Sequence, residues 1–492
     1  MSCKPHLLLI NPYPQDAVGY GGSAATRYPP LALGVLAAMT PPDWRVTLLD
    51  EAAEPLRDVP DVDAVGITCF TTSLAPRAYE LAEAWSRRGV PVLIGGNHPS
   101  MLPDEALRYA TTVVTGEAET VWPQVLADLE GGRLQPRYTG GMAPIETWVS
   151  PRRDLFHSSY LMAPVQTTRG CPFDCEFCSV PQFNGRALRM RPVEEVLDEL
   201  ASIRNRLIFF VDDNLIGYGR RAKERTKRLF EGMIQRRLKK WWWAQCSINV
   251  ADDEEVLRLA SRAGCRLIFI GFESVTEEVV HGLTKNRKAK EVIETYRRAV
   301  ETIHRHGIAV LGSFIFGLDD EGTSVFDATA RFILEAGVDV AQITFLTPLP
   351  GTTLWDRLEG EERMLYRNFP GDWGQYDFQH VTIAPKGKTV GDLYRGLIDC
   401  DSLLYDGGAR SRRALKTLLA TRSPMSALWA WQSNRAMAKA VREAAAERHR
   451  LSRLTSQWDP ALGISPAAGD DRAAACGAGP ERRRLVLEAA PK

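Results

Sequence analysis

The sequence of 492 residues contains no apolar run long enough to cross a membrane and no excess of either charge. A spanning helix needs about 20 predominantly apolar residues, and no stretch of the chain approaches that length. Lysine plus arginine number 61, and so do aspartate plus glutamate. Because this balance gives no broad electrostatic attraction for nucleic acid, we expect no nucleic-acid partner. Because no long apolar run is present, we also expect no transmembrane segment.

Signs of secretion are also missing. The apolar stretch near the N-terminus runs directly into Asn11 and Pro12 with no cleavage pattern behind it, which predicts a buried first strand. The nine cysteines are odd in number, and three of them are clustered, so a disulfide framework is not expected. Free thiols are typical of a reducing compartment, and we therefore expect a cytoplasmic protein.

What the sequence does contain is a group of three cysteines at a characteristic spacing. Cys171, Cys175 and Cys178 lie in the run TTRGCPFDCEFCSV, with the spacing C-x3-C-x2-C. Thiolates this close together suit an iron–sulfur cluster, and three of them leave one iron of a four-iron cluster open to a small molecule. A zinc site is the alternative, which the lack of a fourth Cys or His at zinc-finger spacing disfavours.

Residues 1–140 alternate short apolar strands with amphipathic helices. The predicted strands cover residues 7–12, 45–50, 64–70, 91–96 and 111–116, and the clearest helices cover 31–39 and 73–89. This alternation predicts an α/β domain with a parallel sheet that is covered on both faces. Ligands of such sheets bind at the carboxyl ends of the strands, where small residues such as Gly95, Gly96 and Gly116 admit a large ligand.

A second alternating region follows a linker at residues 141–163. Between residues 164 and 350, strands are predicted at 165–168, 206–213, 241–250, 266–274, 307–318 and 340–350, which fits a partial (β/α)6 barrel. Alternate residues of a barrel strand face the lumen, so Gln245, Ser247 and Asn249 are expected to share a ligand-facing side. Trp241–Trp243 are expected to fill the packing of strand and helix, with substrate stacking as the alternative.

The rest of the chain is less regular. Residues 351–460 predict a mixed, mostly helical C-terminal region. From residue 461 to residue 492 the sequence is rich in Ala, Gly, Pro and Arg, which predicts a disordered tail.

With Phe177 directly before its third cysteine, the cysteine motif resembles that of the radical S-adenosylmethionine (SAM) enzymes. The resemblance implies that Cys171, Cys175 and Cys178 each ligate one iron of a [4Fe–4S] cluster and that the open iron binds SAM. One electron then cleaves SAM to methionine and a 5′-deoxyadenosyl radical. An external donor of the flavodoxin or ferredoxin type is implied, and the backbone of Phe177 is expected near the adenine.

Further contacts with SAM are implied at the ends of the barrel strands. Asp212 or Asp213, in VDDN, is the candidate for the methionine amino group, and Glu273, in GFES, is a second acidic contact. Gly312 and Ser313 begin GSFIFG, which is similar to the family's adenine-packing motif. Acids here can pair with an ammonium group or accept hydrogen bonds from ribose. The alternative is that Asp213 caps a turn and Glu273 pairs with an arginine.

A flavodoxin-like (Rossmann-like) domain ahead of this barrel resembles the cobalamin-binding class of the family. The matching stretches are residues 11–14, 27–38, 66–85, 94–107 and 113–126. The resemblance implies a corrin and nucleotide tail lined by the loop at Gly19–Ser23 and by Thr71, Thr72, Ser73, Gly95, Gly96, Gly116 and Glu117. The motif D-x-H-x-x-G, which places a histidine under cobalt in other cobalamin proteins, is absent, and His98 is a pocket candidate with a structural role as the alternative.

The order of the domains resembles the hopanoid C-2 and C-3 methylases. This resemblance implies methyl transfer from methylcobalamin to an unactivated carbon of a lipid or secondary metabolite, after the adenosyl radical has removed hydrogen. Oxidative cyclisation or rearrangement without methyl transfer is one alternative, and a cobalamin sensor with an idle cluster is another. The sequence identifies neither the substrate nor an acid–base catalytic residue.

Overall fold

The structure is a computed structural model that describes residues 4–14, 28–276 and 289–455. The predicted loop at Gly19–Ser23 and the predicted tail from residue 461 lie outside these ranges. Within them, no helix is both long enough and apolar enough to span a membrane.

The N-terminal part is a six-stranded sheet in the order β2-β1-β3-β4-β5-β6 with all neighbours parallel. Its strands are β1 (His6–Asn11), β2 (Arg45–Asp50), β3 (Ala64–Thr68), β4 (Val92–Gly95), β5 (Thr112–Thr115) and β6 (Arg137–Thr139). Its helices are α1 (Leu31–Met39), α2 (Ala75–Ser86), α3 (Asn97–Met101), α4 (Pro103–Ala106) and α5 (Trp122–Glu130). Strand β1 is buried over nearly its whole length, as expected when helices cover both faces of a parallel sheet.

The central part is a second six-stranded parallel sheet, in the order β7-β10-β11-β12-β13-β14. Its strands are β7 (Met162–Val165), β10 (Leu207–Phe210), β11 (Trp241–Gln245), β12 (Cys265–Glu273), β13 (Ala309–Phe316) and β14 (Val340–Phe345). A short antiparallel pair, β8 (Thr168–Arg169) with β9 (Arg189–Met190), flanks the cysteine motif. The helices are α6 (Val180–Asn184), α7 (Val193–Ser202), α8 (Arg220–Gln235), α9 (Glu254–Arg262), α10 (Ala289–Arg305) and α11 (Val325–Ala336).

The C-terminal part consists mainly of helices: α12 (Thr353–Gly360), α13 (Val390–Tyr405), α14 (Gly407–Thr421) and α15 (Pro424–Leu454). Helix α13 begins at a capping box, in which Thr389 and Asp392 satisfy each other's backbone N–H groups. Helix α15 packs against α13, α14 and the strands β12 to β14. A buried ion pair of 2.6 Å between Arg448 and Asp401 joins α15 to α13.

Two of the three consecutive tryptophans have clearly different surroundings. Trp242 is buried between Phe210 and Phe230, which confirms the predicted packing role. The ring of Trp243 instead stacks on Phe209 at a centroid distance of 3.9 Å, and Tyr28 meets Phe209 edge-on. Phe209 is only 3% exposed, so the ring of Trp243 also packs within the barrel.

One sequence prediction about the barrel is wrong. Strand β11 ends at Gln245, and a short 3-10 helix covers Ile248–Asp252, so Ser247 and Asn249 do not share a strand face with Gln245. The cause is Asn214, whose side-chain amide donates to the Ser247 hydroxyl at 2.6 Å. The backbone N–H of Leu215 also donates to the carbonyl of Gln245, so the chain turns toward this loop after Gln245.

Candidate functional site

A cavity of about 1200 Å³ lies between the carboxyl ends of the two sheets. The predicted site residues that line it are Thr71, Ser73, Gly95, Gly96, Gly116, Glu117, Asp213 and Gln245. The predicted residues that do not line it are Thr72, His98, Phe177, Asp212, Ser247, Asn249, Glu273, Gly312, Ser313 and the three cysteines. A third contribution, from residues 371–380 of the C-terminal part, was missed by the sequence analysis.

The cysteine loop connects β8 to α6. Its three thiols are free, with Cys175 exposed and Cys171 and Cys178 half-buried. Burial raises the pKa of all three thiols, that of Cys178 to about 11, and negative charges at the neighbouring cysteines raise those of Cys175 and Cys178 further. The three sulfurs are therefore close enough to influence one another, and a bound cation is needed to stabilise them together as thiolates.

This donor set fits a [4Fe–4S] cluster. Within the described ranges, no three Cys, His, Asp or Glu side chains are placed to hold a single metal ion. Iron–sulfur clusters are held by cysteine thiolates, and this partly open loop offers three of them. Each cysteine sulfur would bind a different corner of the cube-shaped cluster. Cys171, Cys175 and Cys178 would hold it.

The C-terminal part fixes the position of the cysteine loop. The backbone N–H of Leu354, in α12, donates to the carbonyl of Glu176 at 2.9 Å. Arg357, one turn further along, donates through Nη2 to Oε1 of Glu176 at 3.0 Å. Phe177 is half-buried and packs against the neighbouring apolar core. The loop is thus held by contacts that lie far away in the sequence.

Two of the predicted acidic contacts lie next to the cysteine loop. The charge of Asp213 raises the pKa of Cys171 and Cys178, and that of Glu273 raises the pKa of Cys175. Burial raises the pKa of Asp213 to about 6 and that of Glu273 to about 7. Asp213 accepts a hydrogen bond from Asn184, and Glu273, the last residue of β12, has a φ of 62°. Strained backbone of this kind concentrates at functional sites.

Asp212 lies in the protein interior, away from the cavity. Its Oδ1 accepts hydrogen bonds from the backbone N–H of Thr167 at 2.9 Å and from the hydroxyl of Thr168 at 2.7 Å. It therefore ties the end of β10 to the chain between β7 and β8. Of the two aspartates that the sequence analysis could not separate, Asp213 is the one that reaches the cavity.

The remaining predicted residues lie behind the cavity wall. Ser247 is held by Asn214, and Thr72 is buried at the start of a short 3-10 helix. Gly312 faces the ring of Phe272, where a Cβ would come within 3.0 Å of the ring carbons. Ser313 is its half-buried neighbour in β13. These residues do not form the surface of the cavity.

His98 has the structural role that was its alternative. It is buried, and its Nε2 lies 3.1 Å from the Tyr79 hydroxyl and 3.3 Å from Oε1 of Glu105. Trp373 of the C-terminal part meets the ring edge-on and donates to the same Glu105 oxygen at 2.8 Å. His98 therefore joins the N-terminal sheet to the C-terminal part.

Glu321 is a buried acid that the sequence analysis missed. Its carboxylate accepts the backbone N–H groups of Gly317 and Leu318 at 2.9 and 3.2 Å, and the hydroxyl of Ser274 at 3.2 Å. It thereby joins the ends of β12 and β13. The sequence did offer a signal for Glu321. This acid follows the last glycine of GSFIFG by four residues and so lies just after the end of a predicted strand.

Glu117 lines the cavity and also joins the two sheets. Its Oε2 accepts from Arg169 at 2.8 Å, from Arg189 at 3.0 Å and from the backbone of Ala143 at 2.7 Å. Burial opposes its ionisation, yet the hydrogen bond from Arg189 and the charge of Arg169 hold the pKa of Glu117 below its ordinary value. Arg169 directly precedes the cysteine loop, so this carboxylate connects the N-terminal sheet to that loop.

Gly96 offers a test of how closely the cavity wall is packed. Its φ is 115°, and a Cβ there would lie 2.6 Å from the carbonyl oxygen of Cys69. We expect Gly96→Ala to destabilise the fold by about 3 kcal/mol, from left-handed strain plus overlap with the backbone. Gly89→Ala is the matched control, because Gly89 also has a positive φ but open space around it, and about 1–2 kcal/mol is expected. Urea unfolding measures both, and equal losses would contradict the close packing at Gly96.

Two family profiles match the chain, the B12 binding domain over residues 17–126 and the radical SAM superfamily over residues 165–333. The bacteriochlorophyllide d C-12(1)-methyltransferase of Chlorobaculum tepidum is 32% identical over 421 residues, which cover 82% of this chain and 88% of the relative. The hopanoid C-2 methylase of Rhodopseudomonas palustris is 28% identical over 354 residues, covering 69% and 66%.

A solved structure shares the fold. The radical S-adenosylmethionine methyltransferase TsrM from Kitasatospora setae, with cobalamin and a [4Fe–4S] cluster bound, superposes with a TM-score of 0.63 at 17% identity. The superposition covers 91% of this chain and all of that chain. Together these matches confirm the predicted fold class, with a cobalamin-binding domain, a radical SAM barrel and a helical C-terminal region.

Proposed function

The chain belongs to the cobalamin-binding radical SAM methyltransferases, and we propose that it methylates an unactivated carbon on a side chain of a chlorin-type tetrapyrrole. It is an enzyme that acts on a small molecule with a [4Fe–4S] cluster, SAM and cobalamin as cofactors. The observation that carries the proposed substrate is the similarity to the bacteriochlorophyllide d methyltransferase. That similarity exceeds the similarity to the hopanoid methylase both in identity and in the share of each chain that is covered.

The cavity supports a large, flat and mostly apolar substrate. The aromatic rings that the cavity wall exposes are those of Tyr28, Phe70 and Phe378, each more than a third exposed. Aromatic faces of this kind favour stacking with a planar macrocycle. Apolar side chains such as Pro164 and Phe183 extend the same wall. A steroid-like lipid would also be apolar, but it would gain less from stacked aromatic rings.

The residues around the cysteine loop have the chemistry to orient SAM. When bound, the cluster and cobalamin supply a 5′-deoxyadenosyl radical and a transferable methyl group. Asp213 and Glu273 place two acids beside the cysteines, where one can accept hydrogen bonds from an ammonium group. The cavity is bounded by both sheets, so a bound substrate would be partly shielded from water, which protects a carbon radical from side reactions.

The electron donor and the compartment belong to the same proposal. We expect a donor of the flavodoxin or ferredoxin type, because the cluster must be reduced before SAM is cleaved. The free thiols of the cysteine loop need a reducing environment to take up iron, which favours the cytoplasm.

The test is anaerobic reconstitution with iron, sulfide and hydroxocobalamin, followed by incubation with SAM, a reductant and a chlorophyllide. We expect 5′-deoxyadenosine and a product that has gained one methylene, both detected by mass spectrometry. A product that has lost hydrogens without gaining carbon would indicate oxidative cyclisation instead. Methylation of a hopanoid but not of the chlorophyllide would overturn the proposed substrate while keeping the reaction.

A further inference from the structure

Among the cavity-lining residues that the structure describes, His380 is the one histidine. It belongs to a turn, Asp377–His380, which lies at the mouth of the barrel. The carbonyl of Phe378 accepts a hydrogen bond of 3.0 Å from the backbone N–H of Phe345, the last residue of β14. The turn is therefore placed beside the end of a barrel strand.

Asp377 sets the orientation of the imidazole. Its Oδ1 lies 3.0 Å from Nδ1 of His380 and also accepts the backbone N–H groups of Gln379 at 2.8 Å and His380 at 3.1 Å. In the neutral imidazole, a carboxylate acceptor favours the tautomer with the proton on Nδ1, which has its lone pair on Nε2. Within the described part of the chain, Nε2 of His380 makes no hydrogen bond to another protein group. A carboxylate–histidine pair with a free Nε2 is the arrangement that positions histidine as a metal ligand.

The turn is held rigidly, and part of it is strained. The Gln379 side chain accepts from Arg448 of α15 at 2.6 Å, and the backbone N–H of Val381 donates to the Tyr394 hydroxyl at 3.0 Å. Directly before these anchors, Phe378 has a φ of 65°, and its ring is 37% exposed in the cavity wall. A bulky residue in the left-handed region is uncommon, and such strain is retained mainly where function requires it.

We propose that the turn Asp377–His380 binds the central metal of a metallo-tetrapyrrole, with Nε2 of His380 as the axial ligand and Phe378 against the macrocycle. This inference rests on the proposed substrate class. In a magnesium tetrapyrrole, the four nitrogens of the macrocycle hold the magnesium ion in a plane and leave its axial position open. A fixed ligand at that position orients the macrocycle, so that one peripheral carbon faces the reacting centre. The histidine thus acts as a positioning residue for the substrate.

Binding of magnesium chlorophyllide a and of its metal-free form, pheophorbide a, to the cobalamin-loaded protein tests this assignment. The red absorption band and the fluorescence of these pigments report binding, and the band position reports axial ligation. We expect the magnesium form to bind the natural chain at least about tenfold more tightly than the metal-free form. His380→Gly should remove that preference, and added imidazole should restore it. Asp377→Asn should weaken binding of the magnesium form roughly tenfold.

His157→Gly is the matched control, because His157 is a half-exposed histidine that does not line the cavity. It should leave both affinities unchanged. Equal binding of the two pigments, or an unchanged band in His380→Gly, would overturn axial ligation even if the chain methylates chlorophyllide. A change confined to the cobalamin spectrum of His380→Gly would assign the histidine to cobalt and overturn the proposal. Failure of both pigments to bind would remove the substrate class and this inference together.

Discussion

Replacement of Cys171, Cys175 and Cys178 together by alanine is expected to abolish the reconstituted cluster and all formation of 5′-deoxyadenosine from SAM. The three thiols are the ligands that the cysteine loop offers, and burial holds them protonated until a cation binds. Without them, no iron is retained and no electron reaches SAM. Iron and sulfide content, the visible absorption of the cluster and chromatographic detection of 5′-deoxyadenosine measure the effect.

The variant must keep its fold and its cobalamin for this loss to be informative. Cys400→Ala is the control, because Cys400 is a buried free cysteine of α13 outside the cysteine loop. It should retain the cluster and the cleavage of SAM. The triple variant should still bind hydroxocobalamin, since the corresponding domain lies before residue 127 and has its own sheet. Zinc bound stoichiometrically by the natural loop, or a cluster that never consumes SAM, would contradict the assignment.

Regular elements were predictable where apolar residues form short, well-bounded runs. Helix α1 and strand β2 were predicted with the bounds that the structure gives, 31–39 and 45–50. Strand β12 was predicted at 266–274 and lies at Cys265–Glu273. In each case local sequence determines the element, because a short apolar run is bounded by polar or turn-forming residues. The same reasoning extended β11 too far, since a side chain from another loop ends that strand.

The site was predictable only in part, because long-range contacts build it. Three cysteines in one short motif are visible from their spacing alone. The hydrogen bond between Glu117 and Arg189 connects residues 72 positions apart in the sequence, and that between Arg357 and Glu176 connects residues 181 positions apart. No local pattern marks such pairs. The turn around His380 was missed for the same reason, since contacts with the end of β14 and with Arg448 place it at the cavity.

Glu117→Gln is expected to give the second large effect, a loss of about 3 kcal/mol in the free energy of unfolding. The substitution removes the charge that compensates the largely buried guanidinium group of Arg189, and one of the two charges that pair with Arg169. Breaking a buried ion pair from one side typically costs 3–5 kcal/mol, because the remaining charge is left uncompensated. Denaturant unfolding of the protein without cofactors measures the change.

Glu119→Gln is the matched control. Glu119 also pairs with Arg169, but its side chain is 21% exposed compared with 3% for Glu117. Solvent screens that pair, so a loss of about 1 kcal/mol or less is expected. Equal losses in the two variants would show that burial does not set the strength of these pairs and would contradict the predicted role of Glu117.

The effect of Glu117 should depend on pH in a defined direction. Its pKa in the folded protein lies below the ordinary value, so its ionised form stabilises the fold above the ordinary pKa of glutamate. That contribution is lost as the pH falls through the lower, folded-state pKa. The stability difference between the natural chain and Glu117→Gln should therefore be complete at neutral pH and diminish in acid. A difference that stayed constant into strong acid would mean that the carboxylate charge is not its source.

The same variant should separate the two halves of the reaction. Glu117 joins the end of the N-terminal sheet to Arg169, which directly precedes the cysteine loop, so its loss should loosen the position of one cofactor domain relative to the other. Cleavage of SAM needs only the barrel and should persist, whereas methylation needs both domains in register. We therefore expect the ratio of methylated product to 5′-deoxyadenosine to fall in Glu117→Gln and to be preserved in Glu119→Gln. A proportional loss of both products would place the effect in the cluster loop alone.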